Sequence, residues 1–286
     1  MALCPAAAAP PAPTSYDAEI AAFRARRDAR LRSDNGWLTL VGLSWLEEGE
    51  NPVGSAPKSR VVLPAGKAPA SLGAIRLEKG TATFVAASGA QVTADGKPVT
   101  SLAMTPDASG SPTVLAHGSL SFYVIKRGAR LGVRVKDKDA AALREFKGVP
   151  TFPVNPLWRL VARFEPYDPP RKIDVPNILG STESDESPGA VVFEVKGETY
   201  RLEAVKEDDS GDLFLIFGDR TNGTETYGGG RFLYTLPPKD GTVVVDFNRA
   251  INPPCVFTPY ATCPLPPAPN RLPIRIPAGE KSFGKH

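Results

Sequence analysis

Thirty prolines and 26 glycines, about a fifth of the 286 residues, interrupt this chain every few positions. Proline fixes φ and removes a backbone donor, and glycine loses the most conformational freedom on ordering. Long helices are therefore disfavoured, and short strands joined by turns are favoured. The segments between the interruptions have the composition of strands: SRVVLP, LGAIRLEKG, TATFVAA, PTVLAHG, LSFYVIKRG and ARLGVRVKD in the first half. The Ala-Asp-Gly turn between Val92 and Val99 predicts a hairpin. Strands resume with LWRLVARFEPY, RKIDVPNI, GAVVFEVKG, ETYRLEAVKE, DLFLIFGD, RFLYTL, TVVVDFN and LPIRIPAG, and GSTESDESPG reads as an exposed loop between two of them. The fold class that follows is mainly β, an N-terminal helix and a β-sandwich followed by a second β-rich sandwich or barrel.

One segment escapes the punctuation. Ser15 to Arg32 predicts a helix, with Ser15 as its cap, Asp17 and Glu19 in the first turn and basic residues at its end. Tyr16, Ile20, Phe23 and Leu31 fall on one face, and the apolar block from Trp37 to Leu46 reads as core. The organisation expected is a disordered Ala/Pro tail at 1–14, helix and apolar segment at 15–50, and a β-sandwich at 51–148 closed by a brief helix near Asp139 to Phe146. The Pro-studded connector GVPTFPVNP then leads to a C-terminal β-rich domain at 149–286.

Charge excludes several classes of partner. The formal net charge is only +3, with Lys and Arg spread among the acids, so neither a nucleic-acid footprint nor an anionic membrane patch is expected. No apolar run approaches the roughly 20 residues that span a bilayer. Cys4 invites a lipoprotein reading with a truncated signal, against the plainer Ala/Pro tail, so cytoplasm and export both stay open. Cys255 and Cys263, eight positions apart, can bridge if exported or stay as thiols in a reducing compartment. His117 and His286 are too few to complete a zinc site, so no metal and no cofactor is expected.

The order VGS at 53–55, SRVVLP at 59–64, SLGAIRL at 71–77, DGKPV at 95–99 and HGSLSFYVI at 117–125 resembles a forkhead-associated sandwich. Such domains bind phosphothreonine through an Arg after the first Gly, a Ser and a His in the next turn, and an Asn-Gly. Here those places hold Ser55, a residue near Ala74, and Asp95-Gly96, with Ser71 alone matching. The resemblance therefore implies a fold without a phosphopeptide partner. In the second half, FGDRTNGTETYGGGRFLYT at 217–235 and VDFNRAINPPCVFTPYATCPLPPAPNRLPIRIPAGEK at 245–281 are similar to the bacterial family called domain of unknown function 1684. RDARLRSDNGWLTLVGLSWLEEGENPVGS and FKGVPTFPVNPLWR fit it as well. That family implies no reaction and no catalytic roles.

Residues 217–270 hold the unusual chemistry. Asp219, Glu225, Tyr227 and Arg231 surround a Gly-rich turn, a set that can orient a polar or anionic small molecule or form an elaborate hairpin. Asp246, Asn248 and Asn252 sit in a Pro-rich cover, where they can line a pocket or satisfy the loop's own backbone. Cys255 lacks a histidine neighbour in this half, so it is a weak candidate nucleophile. His117 reads as a turn residue. The expectation is a binding protein for a polar or anionic small molecule in the C-terminal domain. The alternatives are a hydrolase or lyase using Asp219 or Glu225 as acid/base, and a structural envelope protein in which the stretch is an ordered brace.

Overall fold

The structure, a computed structural model, describes residues 15–207 and 209–284; the tail at 1–14 with Cys4, and His286, lie outside them. Helix α1 (Tyr16–Arg32) begins where its cap predicts, the Ala18 N–H donating to Ser15 Oγ at 3.3 Å. Ile20 and Leu31 on its inner face are fully buried. Its Tyr16 hydroxyl reaches across the chain to Asp246 Oδ1 at 2.8 Å, tying the helix to the second half.

In the first half the strands are β1 (Leu40–Trp45), β2 (Gly49–Gly54), β3 (Val61–Val62), β4 (Gly73–Glu78), β5 (Thr81–Ala86) and β6 (Thr93–Ala94). They continue as β7 (Lys97–Pro98), β8 (Ser101–Met104), β9 (Leu115–His117), β10 (Leu120–Arg127) and β11 (Arg130–Asp137). Two sheets result, ordered β1-β11-β10-β9-β6-β7 and β3-β2-β4-β5-β8. Their inner faces share one core, Val53, Ile75 and Phe84 from one sheet meeting Leu115, Phe122, Val133 and Val135 from the other. This is the expected sandwich. The β6–β7 hairpin turns through Asp95 (φ 49°) and Gly96 (φ 75°), a left-handed pair that matches the strand twist.

Helix α2 (Ala141–Glu145) ends this region, and the second half follows: β12 (Arg159–Pro176), β13 (Thr182–Val195), β14 (Glu198–Glu203), β15 (Leu213–Phe217), β16 (Arg231–Thr235) and β17 (Thr242–Asp246). One sheet runs β14-β13-β12-β17, and β15-β16 form a two-stranded ribbon. The run LFLIF is apolar at every position because both faces of β15 are covered. Leu213, Leu215 and Phe217 join the core beneath the large sheet, while Phe214 and Ile216 join a second cluster with Phe232, Cys255, Ala261 and Cys263.

Two readings need correction. GSTESDESPG is largely strand: Thr182 to Ser187 pair with Arg171 to Pro176 inside β13. Its polar composition reads as a loop, but pairing with a long neighbouring strand satisfies its backbone, and Ser187 is fully buried. LPIRIPAG is not a sheet strand, because it runs as irregular chain whose Leu272, Ile276 and Ala278 enter the core while its backbone bonds to loops.

Residues 246–270 are an ordered cover with three single-turn 3-10 segments. Val256 and Phe257 pack on Leu31, Leu38 and Phe146, and Thr258 Oγ1 donates to the Leu40 carbonyl at 2.9 Å. The cover thus bonds both halves of the chain.

Candidate functional site

The seven side chains singled out in the sequence do not share a cavity. Asp219 and Arg231 form a sealed ion pair, Arg231 Nη2 to Asp219 Oδ2 at 3.3 Å, with both side chains at 0% exposure. Arg231 also donates to the carbonyls of Ala278 and Ile276, and Asp219 accepts from Thr221 Oγ1 at 2.6 Å and the Ile276 N–H at 2.6 Å. Burial pushes the guanidinium pKa down, and Asp219 opposes it. These contacts fasten the chain's last segment to the Gly-rich turn. Gly230 (φ 91°) is needed there, since a Cβ would lie 2.7 Å from the Phe217 carbonyl oxygen and closer still to Pro266. The group the glycine run approaches is the protein itself.

The remaining candidates disperse. Glu225 lies at the surface in a bidentate pair with Arg275 at 2.6 and 2.7 Å. Tyr227 points to Cys255. Asp246 accepts from Tyr16 and the Asn248 N–H, while Asn248 bonds both backbone groups of Asn155 at 2.9 Å, so this pair braces helix α1 and the connector. Asn252 takes the remaining path, its N–H donating to buried Glu280 at 2.6 Å and its Nδ2 to the Lys281 carbonyl at 2.8 Å. The expectation of one pocket fails for a simple reason: an irregular Pro-rich cover leaves many backbone groups without sheet partners, and Asx side chains fill those vacancies.

A cavity of about 650 Å³ lies elsewhere, where helix α1, the first sandwich, the β12–β13 hairpin and the cover converge. Asn252 and Cys263 are the earlier candidates that line it. Phe214, Phe232, Val175 and Trp37 give it apolar walls, and Arg27, Arg30, Arg127 and Arg134 give it positive charge. Two of these cations are already matched, Arg27 by Glu280 at 3.1 Å and Arg127 by Asp107 at 2.9 Å. Arg134 differs. It is 5% exposed, its Nη2 donates to Thr262 Oγ1 at 3.2 Å, and its guanidinium lies 5.1 Å from the Trp37 ring. Its Nε is buried without a hydrogen-bond partner, and it has no ion pair among the described residues.

Carboxylates face the same space. Asp185 and Glu183 enter from β13, the segment that reads as a loop, and Asp185 has its pKa raised by burial first and by Glu183 second. Arg134 and Asp185 were both invisible in the sequence. In β11 the alternation Leu131, Val133, Val135 against Arg134 and Lys136 reads as core against solvent, yet both faces are covered. Lys136 also shows it: burial draws its pKa down to about 8, and its Nζ donates to the Asn35 carbonyl at 2.7 Å.

Among the described residues no group of three or more His, Cys, Asp or Glu side chains converges as metal ligands, and no helix is long and apolar enough to cross a membrane. A second groove of about 630 Å³ runs between α1 and β17, lined by Arg26, Arg159, Lys239, Asp246 and Leu236. Its charged groups are mainly on an open surface.

A family model described as "Protein of unknown function (DUF1684)" matches residues 144–281. An uncharacterized protein of Haloarcula marismortui, solved by solution NMR, is 30% identical, with a TM-score of 0.43, over 50% of this chain and 80% of that one. The chain belongs to the DUF1684 family. Two forkhead-associated domain structures are also similar, one from work on phosphothreonine-dependent interactions and one, FhaA, solved with an intracellular domain of another protein. They are 18% and 16% identical, cover 34% and 32% of this chain and 96% of each of theirs, and have TM-scores of 0.24. Among curated proteins no match is found. The DUF1684 match divides the cavity unequally. The matched segment supplies Asp185, Glu183, Phe214, Phe232 and the cover, whereas Arg27, Arg30, Arg127, Arg134 and Trp37 all precede it.

Proposed function

We propose that the cavity binds a polar small molecule through an anionic group seated on Arg134. The observation that carries this reading is the buried Arg134 guanidinium, which has no ion pair among the described residues. A cation held out of water without a counter-ion costs several kcal/mol, and a bound carboxylate or phosphate would offset that cost through short charge-assisted bonds. Phe214, Phe232 and Trp37 would cover an apolar or planar part of the ligand, and Asp185 would accept from a hydroxyl or amino group. In this reading residues 51–148 and 149–286 act as two units, with Arg127 and Arg134 reaching Thr262 of the cover from the first. The test is a metabolite-library thermal-shift screen on wild type and Arg134→Met. A metabolite that stabilises only the wild type supports the site, and a library without any stabilising member moves the reading to an ordered brace.

Asp185 favours one alternative, a hydrolase or lyase in which this carboxyl, kept protonated to higher pH than usual, serves as acid or base. Asp185→Asn separates the two. A binder keeps its ligand and has no turnover to lose, whereas an enzyme keeps the ligand and loses its conversion to product.

A further inference from the structure

Cys255 and Cys263 are free thiols, 8% and 3% exposed, held side by side in the cover. The Cys255 N–H donates to Cys263 Sγ at 3.1 Å, and the two thiols are hydrogen-bonded to one another. Neither sulfur is positioned by a flexible segment. Pro253 and Pro254 fix the chain before Cys255, Pro264 follows Cys263, and the Cys263 carbonyl accepts from the Ile178 N–H at 3.0 Å. Cys263 lines the cavity, and Cys255, hydrogen-bonded to it, keeps 8% exposure of its own. Both sulfurs belong to the buried apolar cluster that holds Phe214, Phe232, Ala261 and Val175, which fixes them against each other.

We propose that Cys255 and Cys263 are a redox-active pair, converted by hydrogen peroxide from dithiol to intramolecular disulfide and returned by a dithiol reductant. Cys255 is the attacking sulfur. Its thiolate is stabilised by the Cys263 S–H first and the Tyr227 hydroxyl next, which draw its pKa to about 7 against the opposing effect of burial. Cys263, as the donor, is pushed well up and keeps its proton. The other titratable and charged groups at the pair are Tyr227, whose pKa is raised by burial, and Arg134, whose charge acts on Cys263. In the first step Cys255 sulfur bonds to one peroxide oxygen, the O–O bond breaks, and hydroxide leaves as water on taking a proton from solvent. In the second, Cys263 sulfur attacks Cys255 Sγ, the S–O bond breaks, and the second water leaves with the Cys263 proton. Two thiols and one peroxide become one disulfide and two waters; sulfur loses the two electrons that peroxide gains.

The full chain tests this directly. It is reduced, freed of reductant, treated with one equivalent of hydrogen peroxide, alkylated and digested with trypsin. Cleavage after Arg249 and Arg271 releases both cysteines in one peptide, Ala250 to Arg271. The expected product is that peptide unalkylated and two hydrogens lighter, restored to double alkylation by a dithiol. Cys263→Ser is expected to leave Cys255 as a sulfenic acid trapped by dimedone, and alkylation of Cys255 in the reduced wild type to titrate with a midpoint near 7 rather than 9. Two alkylated cysteines after peroxide, a bridge to Cys4 instead, or over-oxidation of Cys255 without a bridge would each overturn the proposal. The measurement uses no cavity ligand, so it stands or fails apart from the binding reading.

Discussion

Arg231 and Arg134 are both buried arginines on β strands, and they sit in opposite electrostatic circumstances. Arg231 has a carboxylate, two carbonyls and the Phe217 ring around it, and its side chain is sealed from solvent. Among the described residues Arg134 has the Thr262 hydroxyl and the Trp37 indole beside it, and it lines a space of about 650 Å³. Each leaves Nε without a partner, so an unpaired Nε alone does not separate them. What separates them is the countercharge. A buried cation whose neighbours supply its anion holds the protein together, whereas one that lacks an anion and borders a cavity is prepared for a ligand's charge.

The largest effect should come from breaking the sealed pair. Arg231→Met leaves the Asp219 carboxylate buried without its cation, which costs about 3–5 kcal/mol. Urea denaturation should show a correspondingly lower midpoint, with the slope unchanged. If the loss were under about 1 kcal/mol, Asp219 would be reaching water, and the contrast between the two arginines would weaken.

Arg134→Met should behave in the reverse sense. With no carboxylate left behind, the lost Thr262 bond, about 1 kcal/mol, is offset by removal of a desolvated charge, so the unliganded protein should keep its stability within about that amount. Affinity for the stabilising metabolite should fall roughly 10- to 100-fold, the worth of a charged hydrogen bond at about 1.5–3 kcal/mol. A destabilisation equal to that of Arg231→Met would make Arg134 a structural residue.

This pair also shows which parts of the molecule were readable from the chain. Ser15 capping α1, the Asp95-Gly96 turn and the apolar run of β15 depend on local rules, and each forms as its local chemistry dictates. The site depends on what covers a strand's second face, and no local rule contains that. Arg134 alternates with valines as a solvent-facing residue would, until Trp37, nearly a hundred positions earlier, and Thr262, well over a hundred later, close over it. Asp185 lies in a polar stretch that only its pairing with Ile173 makes a strand. The polar groups from Asp219 to Arg231 are dense because they satisfy loop backbone and form a buried pair.

A smaller effect should follow from pH. Burial raises the Asp185 pKa, so at low pH the group is neutral and does not oppose a ligand anion on Arg134. As pH rises through that raised value the carboxylate appears, and affinity for the stabilising metabolite should fall by up to about tenfold, a difference near 1.4 kcal/mol. Asp185→Asn should flatten the profile at its low-pH affinity. An affinity that instead rises with pH would place a cationic ligand group beside Asp185 and reverse the orientation proposed for the ligand.

The smallest effect is expected at Glu225, the acid that the sequence places closest to the Gly-rich turn. Its carboxylate is paired bidentately with Arg275, and the two side chains are 33% and 54% exposed. Arg275 holds the Glu225 pKa below the usual carboxylate range, the reverse of what a general acid working near neutrality requires. Water and salt screen such a pair, so Glu225→Gln should leave both the urea midpoint and metabolite binding at wild-type values. The turn's backbone bond, Ser282 N–H to the Glu225 carbonyl at 3.0 Å, also ties this position to the C-terminal segment, and the substitution retains it. If Glu225→Gln weakened binding as much as Arg134→Met, ligand contact would have to extend to the surface beyond the sealed Asp219–Arg231 pair, and the division between a closed brace and an open site would fail.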